Sequence, residues 1–431
     1  MSFLHPIPRA ASFTAILHLF SQLKNCFQIH RVWGPQQALL TVFAMMEPGR
    51  AASYQLACKI AMLWGGDHFG WQSVPNPSGF GRGRERVEES DCVRLFEGAK
   101  QLAGVGLHKK KELVCGLLPI GVDGTILHMP RGKELIEKFE IPHDCHYPDA
   151  WCVTAWDLVR RIPLAWTLDG YKTSERHLFL SILNQLPSNA LCILDRGYPS
   201  KAVFGAILDS GRHFVARMVA SEGACWNEVA AFLASGAHDA IVSVEVGEGK
   251  TRRITKLRMI LREYDPSRKS EFTKHETMVI ITSVLDPKLK KRDIIRLYGT
   301  RWGIETIYRE MKAVAKIEQW HGKTIKLVRQ ELILLLVWFC FASLFSQKAD
   351  KTRLPTKESD AIWRTNTRRV FEAIFQTIHL LFSTGNRHTE IIAELARHAD
   401  AALDAMCRWM QRIREGRSYS RIPMHPYARK I

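Results

Sequence analysis

Hydrophobic and polar positions recur with different periods along this chain, and the changes of period divide it into regions. Over residues 1–112, apolar residues fall at helical spacing in 13–20, 37–46, 54–63 and 93–102, which predicts helices there. Between the last two lies WQSVPNPSGFGRGRER, residues 71–86, whose Pro and Gly content predicts a loop with exposed arginines. The texture changes at Leu113. LVCGLLPIGVDG reads as a short buried strand that stops at Asp123-Gly124-Thr125, and a looped, partly basic stretch follows to Asp149. Residues 151–159 and 162–170 read as strands joined tightly at Arg160-Arg161. Residues 173–186 read as a helix with Thr173 or Ser174 at its N-cap. Residues 191–194 form a strand running into Asp195-Arg196-Gly197-Tyr198, followed by a helix over 200–210 and a strand over 213–219.

That succession predicts a mixed α/β sheet rather than an all-parallel one. No GxGxxG follows a strand and no GxxxxGK[ST] occurs, so neither a dinucleotide site nor a P-loop is expected. Strand patterns at 240–246, 253–262 and 276–282, separated by charged turn-rich segments, predict a β-rich insertion. A helix then begins near Lys291 and contains YGTRWGIETIYREMK, residues 298–312. Plotted at 3.6 residues per turn, Tyr298, Arg301, Glu305 and Lys312 share one narrow arc. Leu297, Ile304, Ile307, Met311 and Val314 form a separate apolar stripe for burial. Residues 325–345 read as a helix whose charge-free run, 332–345, is short of the roughly 20 residues that span a bilayer, so it is expected to be buried. Two more helices are expected at 362–382 and 389–409, ahead of a basic, loose end.

The division that follows has an N-terminal helical region at 1–112, suited to lying against DNA or to a structural cap, and a first part of a core at 113–220. The β-rich insertion occupies 221–286, the rest of the core with its Glu-bearing helix 287–346, and a C-terminal helical region 347–431, for dimerisation or DNA contact. A chain of 431 residues suits two or three domains or subdomains. The formal charge of +18 adds a partner: it favours a polyanion, most often nucleic acid, since solubility alone needs far less. The ten cysteines are scattered with no CxxC and no zinc-finger spacing, which suits reduced thiols in a cytoplasmic protein. No signal-peptide pattern is read, and no membrane partner is expected.

Asp123 and Asp195 each follow an apolar strand, where a carboxylate meets solvent on a rigid backbone, and Glu305 lies on the polar arc of a helix. Were the strands neighbours and the helix packed across them, the three would converge. Converging carboxylates repel unless cations lie between them, and oxygen-only ligands select Mg²⁺ or Mn²⁺. Taken singly, each has a plainer reading. Asp123-Gly124 suits a turn, Asp195 suits an Asx-turn or a pair with Arg196, and Glu305 suits a surface link to Lys312. Trp302 and Trp320 suit packing better than a base platform. No GxSxG elbow points to a serine hydrolase.

Together these motifs resemble the DDE transposases of the IS4 family. VDGT at 122–125 resembles the first-aspartate motif and LDRGY at 194–198 the second. Tyr298, Arg301, Glu305 and Lys312 match the Y-x2-R-x3-E-x6-K signature at every spacing. The 110-residue separation of Asp195 from Glu305 resembles that family's β-rich insertion. The resemblance spans about residues 113–345, and implies an RNase H-like mixed sheet with Asp123, Asp195 and Glu305 as catalytic metal ligands. On that resemblance Asp123 is expected to be the ligand shared by two Mg²⁺ ions, with Mn²⁺ as the expected substitute. Tyr298, Arg301, Lys312 and, beside Asp195, Arg196 are expected on DNA phosphates. The implied chemistry is cleavage at transposon ends, then attack of the freed 3′-hydroxyl on target DNA, sometimes through a DNA hairpin. The implied partners are double-stranded DNA carrying terminal inverted repeats, target DNA, and a second copy of the chain in a synaptic dimer, in a cytoplasmic, nucleoid-associated setting. Better-known members stack a flipped base on an insertion-domain tryptophan. Residues 227–285 contain none, and Trp226 stands only near the insertion's start.

Overall fold

The computed structural model describes residues 19, 33–47, 53–143, 145–221, 223, 225–262, 278–352, 363–365, 370–371 and 410–412. Apart from residue 19, the helix expected at 13–20 lies outside these, as do most of that at 362–382, all of that at 389–409, and the end beyond residue 412. The fold is mixed α/β, and the chain divides into two compact units: Met1–Pro187 with Trp302–Arg412, and Ser188–Arg301 with Ile413–Ile431.

In the first unit the N-terminal helices are α1 (Pro35–Met45), α2 (Tyr54–Phe69), α3 (Pro77–Arg86) and α4 (Glu89–Leu102). Helix α3 corrects the expected loop. Asn76 caps it by accepting from Ser78 N at 2.8 Å, and Pro77 occupies the first turn, where its missing N–H costs nothing. Its glycines serve packing: a Cβ on Gly83 would stand 2.8 Å from the Trp33 side chain, and one on Gly79 2.8 Å from its indole nitrogen. Arg82 and Arg86 are exposed as expected, but Arg84 is fully buried. Its guanidinium donates to Gln330 Oε1 at 2.9 Å, Tyr54 Oη at 3.0 Å and Glu331 Oε1 at 2.8 Å.

Strands β1 (Leu118–His128), β2 (Asp149–Asp157) and β3 (Ile162–Gly170) form an antiparallel run in the order β3-β2-β1. Helix α5 (Lys133–Phe139) interrupts the stretch read as loop, and α6 (Glu175–Ile182) follows β3, with Ser174 at its N-cap position. Strand β1 does not stop at Asp123; its ladder with β2 runs on to His128 opposite Asp149. Helices α10 (Trp302–Arg309) and α11 (Ile325–Thr352) complete this unit's regular core. By length and composition alone, residues 325–347 of α11 would suffice to cross a membrane, yet 89% of its most apolar window is buried inside the protein. The Trp338 ring stacks on Phe43 at 4.2 Å, and its indole N–H donates to the Phe43 carbonyl at 2.9 Å. Residues Trp363–Thr365 are not helical: they form β9, antiparallel to β10 (Met410–Arg412).

The second unit holds β4 (Ala190–Leu194), α7 (Lys201–Asp209), β5 (His213–Met218), α8 (Asn227–Ala234), β6 (Asp239–Val246), β7 (Arg253–Arg262), β8 (Met278–Thr282) and α9 (Lys291–Gly299). β4 and β5 are parallel, and β5-β8-β7-β6 continue antiparallel, so this part of the sheet is open and mixed. The β-rich segment therefore extends the β5 edge through β8. Trp226, half-buried at the α8 N-cap, meets Phe204 edge-on at 5.7 Å.

None of the described cysteines is in a disulfide. Burial pushes the thiols of Cys58, Cys92, Cys152 and Cys192 up to about 12, so they stay protonated and inert.

Candidate active site

The candidate residues are carried by both units. In the first, β1 bears Asp123 and α10 bears Glu305, both half-buried. Asp123 lies opposite Thr154 of β2 in the antiparallel ladder, and opposed residues project to one face. The Thr154 hydroxyl lies 2.7 Å from the Tyr308 hydroxyl on α10, and Tyr308 Oη donates to the Asp123 carbonyl. Asp123 therefore projects from the face of β1 that α10 covers. Glu305 stands on the same helix three residues before Tyr308, about 4.5 Å along its axis.

Gly124 points to the opposite face, and its role is not that of a turn. A Cβ there would stand 2.1 Å from Glu175 Oε1, at the start of α6. The Asp-Gly pair thus sits within a strand, and glycine makes room for a carboxylate behind it.

The helix expected over 298–312 is interrupted twice. α9 ends at Gly299, α10 starts at Trp302, and residues Glu310–Val314 form a π-helical turn. Such turns widen the helix and re-aim the side chains on it. Lys312, inside the turn, donates to the Ile126 carbonyl at 2.6 Å and lies 3.5 Å from Glu318 Oε1. Glu318 also accepts from His128 N at 3.2 Å, and the Trp320 indole donates to the His128 carbonyl at 2.7 Å. Trp320 is thus a packing residue, whereas Trp302 is 41% exposed. The apolar stripe holds: Ile304, Ile307 and Met311 are buried in this unit and Leu297 in the other, while Val314 is half-buried.

In the second unit, Asp195 directly follows β4, and its carbonyl accepts from Tyr198 N at 3.0 Å. Tyr298, on α9, donates its hydroxyl to Asp195 Oδ1 at 3.2 Å. The Arg301 guanidinium lies 3.7 Å from Asp195 Oδ2 and covers the Tyr298 ring at 5.9 Å. Burial first, and the Asp195 charge second, push the Tyr298 phenol well above its ordinary range, so it stays a protonated donor. Arg196 is exposed, and the Asp195 side chain is 24% exposed.

Among the described residues, no three His, Cys, Asp or Glu side chains gather as one ion's ligands. The three candidate acids supply only carboxylate oxygens, a donor set that fits hard divalent cations.

Sequence reasoning did not single out Tyr308, Thr154 or Glu175. Tyr308 sits one turn after Glu305 beside the apolar stripe, and that was its only sequence signal.

A family model described as the transposase DDE domain matches residues 120–340, a stretch containing all three acids and the Tyr298, Arg301 and Lys312 positions. That match covers more than half of the chain. A curated relative, transposase InsG for insertion sequence element IS4 from Escherichia coli (strain K12), is 25% identical over 267 residues. The alignment covers 59% of this chain and 58% of the relative, so the chain spans under two thirds of that relative's length. A solved structure, the cryo-EM piggyBac transposase synaptic complex with hairpin DNA, is 9% identical with a TM-score of 0.43, covering 91% of this chain and 85% of that one. At that score it carries no weight in the assignment. The chain belongs to the transposase DDE domain family.

Proposed function

We propose that this protein is the DNA transposase of an insertion sequence, cutting phosphodiester bonds at the element's ends and joining the freed ends to target DNA. The observation that carries the reading is the placement of Asp123 on the α10 face of β1, with Glu305 on that helix, inside the family-matched stretch. Asp123, Asp195 and Glu305 would hold two Mg²⁺ ions, and the metal would supply activation of a water or a 3′-hydroxyl and stabilisation of the leaving oxygen.

The remaining steps belong to the chain's own groups. Tyr298 and Arg301 hold the Asp195 carboxylate in place before DNA arrives and contact the phosphate beside the scissile bond once it has. Lys312 exchanges its carbonyl partner for a phosphate, a charge-assisted bond worth about 1.5–3 kcal/mol. Arg196, exposed beside Asp195, steadies a neighbouring phosphate. The excess positive charge draws DNA in and makes binding salt-sensitive. The protein acts as a dimer on two element ends in a cytoplasmic, nucleoid-associated setting.

The test is strand transfer from a pre-cut end bearing a 3′-hydroxyl, in Mg²⁺, with the inverted repeats that flank the coding region. Joined products that vanish in Asp195→Asn, with end binding retained, support the reading. Cleavage of uncut ends without any joining would make the protein a nuclease. Cleavage unchanged in Asp195→Asn would remove that residue from the site.

A further inference from the structure

We propose that Tyr308 is a positioning residue that sets the Glu305 helix against the Asp123 strand through a directed hydrogen-bond chain. The chain has three links. The Trp156 indole N–H donates to Thr154 Oγ1 at 2.7 Å, Thr154 Oγ1 and Tyr308 Oη are 2.7 Å apart, and Tyr308 Oη meets the Asp123 carbonyl. Its direction is fixed at both ends. An indole nitrogen only donates and a backbone carbonyl only accepts. Tyr308 must therefore give its proton to Asp123, and Thr154 must give its own to Tyr308.

Trp156 and Thr154 are fully buried and Tyr308 nearly so, which removes water as a substitute partner. A phenylalanine would fill the same space and still bury α10. The hydroxyl adds a fixed distance between the backbone that carries Asp123 and the helix turn that carries Glu305. A second tie seats the next turn: Glu310 pairs with Arg161, in the β2–β3 connection, at 2.5 Å. Helix and strand thus meet in one register, and the spacing of two of the three acids is set before any ion binds. The inference rests on the function proposed above.

Partners that orient metal ligands typically change metal affinity by about 10–100-fold when removed. Cleavage of an element end is measured against Mg²⁺ concentration for the wild type, Tyr308→Phe, Thr154→Val, Thr154→Ser and Asp123→Asn, with end affinity and melting temperature recorded for each. The expected result is a Mg²⁺ requirement raised about 10-fold or more in Tyr308→Phe and Thr154→Val at unchanged end affinity, with Thr154→Ser near wild type. Should Tyr308→Phe not fold, the two Thr154 variants decide the matter. A Mg²⁺ requirement equal to wild type in folded Tyr308→Phe or Thr154→Val, with Asp123→Asn inactive, overturns the inference and leaves the proposed function standing. Cleavage by Asp123→Asn at the wild-type rate removes both.

Discussion

The Tyr298 hydroxyl donates to Asp195 Oδ1 at 3.2 Å, from a ring that is itself only 4% exposed. A side chain expected to face DNA is, in the free protein, committed to a carboxylate. Tyr298→Phe should therefore keep the fold, because the ring stays, and should slow end cleavage. A hydrogen bond to a charged group is worth about 1.5–3 kcal/mol, or about 10–150-fold in rate. Single-turnover cleavage checks this, with the melting temperature as control.

Tyr298 and Tyr308 should resist ionisation. Burial raises both phenols above the ordinary value of 10.0, so the folded state holds their protons more tightly than the unfolded chain does. Their contribution to stability is intact below pH 10 and is lost as pH rises beyond it. Absorbance at the phenolate band should show both tyrosines silent through the titration of exposed ones, appearing only with alkaline unfolding. Removing either by Phe should leave the early phase unchanged.

The Arg84–Glu331 pair should matter more for stability than for chemistry. Both side chains are fully buried, and Glu331 also accepts from the backbone N–H groups of His321 at 3.0 Å and Gly322 at 2.8 Å. Burial alone would raise the Glu331 carboxyl; Arg84 and His321 outweigh it and hold it below its ordinary value of 4.5. That stabilisation is present above pH 4.5 and is lost as pH falls through the lowered folded value. Glu331→Gln strands the Arg84 charge and should cost about 3–5 kcal/mol in denaturant unfolding near neutral pH.

Gly124 and Glu175 should couple. Gly124→Ala places a methyl group where Glu175 Oε1 lies, and should cost about 1 kcal/mol, because that flexible carboxylate can swing aside. Adding Glu175→Ala should recover most of that loss, since it vacates the space. Additive losses in a double-mutant cycle would show that the two do not meet.

Much of the architecture was legible because periodicity reports burial directly. Strands β2 to β7 and helices α1, α2, α4 and α7 stand close to where the pattern predicts them. The failures share one physical cause: local signals overridden by distant partners. Helix α3 survives three glycines because Trp33 packs on two of them, Gly79 and Gly83, and Arg84 finds a buried acid 247 residues away. Asp123-Gly124 reads as a turn because the ladder with β2 and the Glu175 side chain are invisible from sequence. The single helix expected over 298–312 breaks after Gly299 and widens from Glu310. The ideal 3.6-residue arc drawn through the signature residues does not survive those breaks. The acids themselves stood out by motif. Tyr308 did not, because its value lies in one hydroxyl directed at a carbonyl 185 positions away.

The most direct measurement is anomalous scattering from Mn²⁺ in crystals of the protein bound to two pre-cut element ends. Peaks bound by Asp123, Asp195 and Glu305 beside the 3′-hydroxyl are predicted. Ordered DNA ends with the three carboxylates ligating no ion would contradict the account.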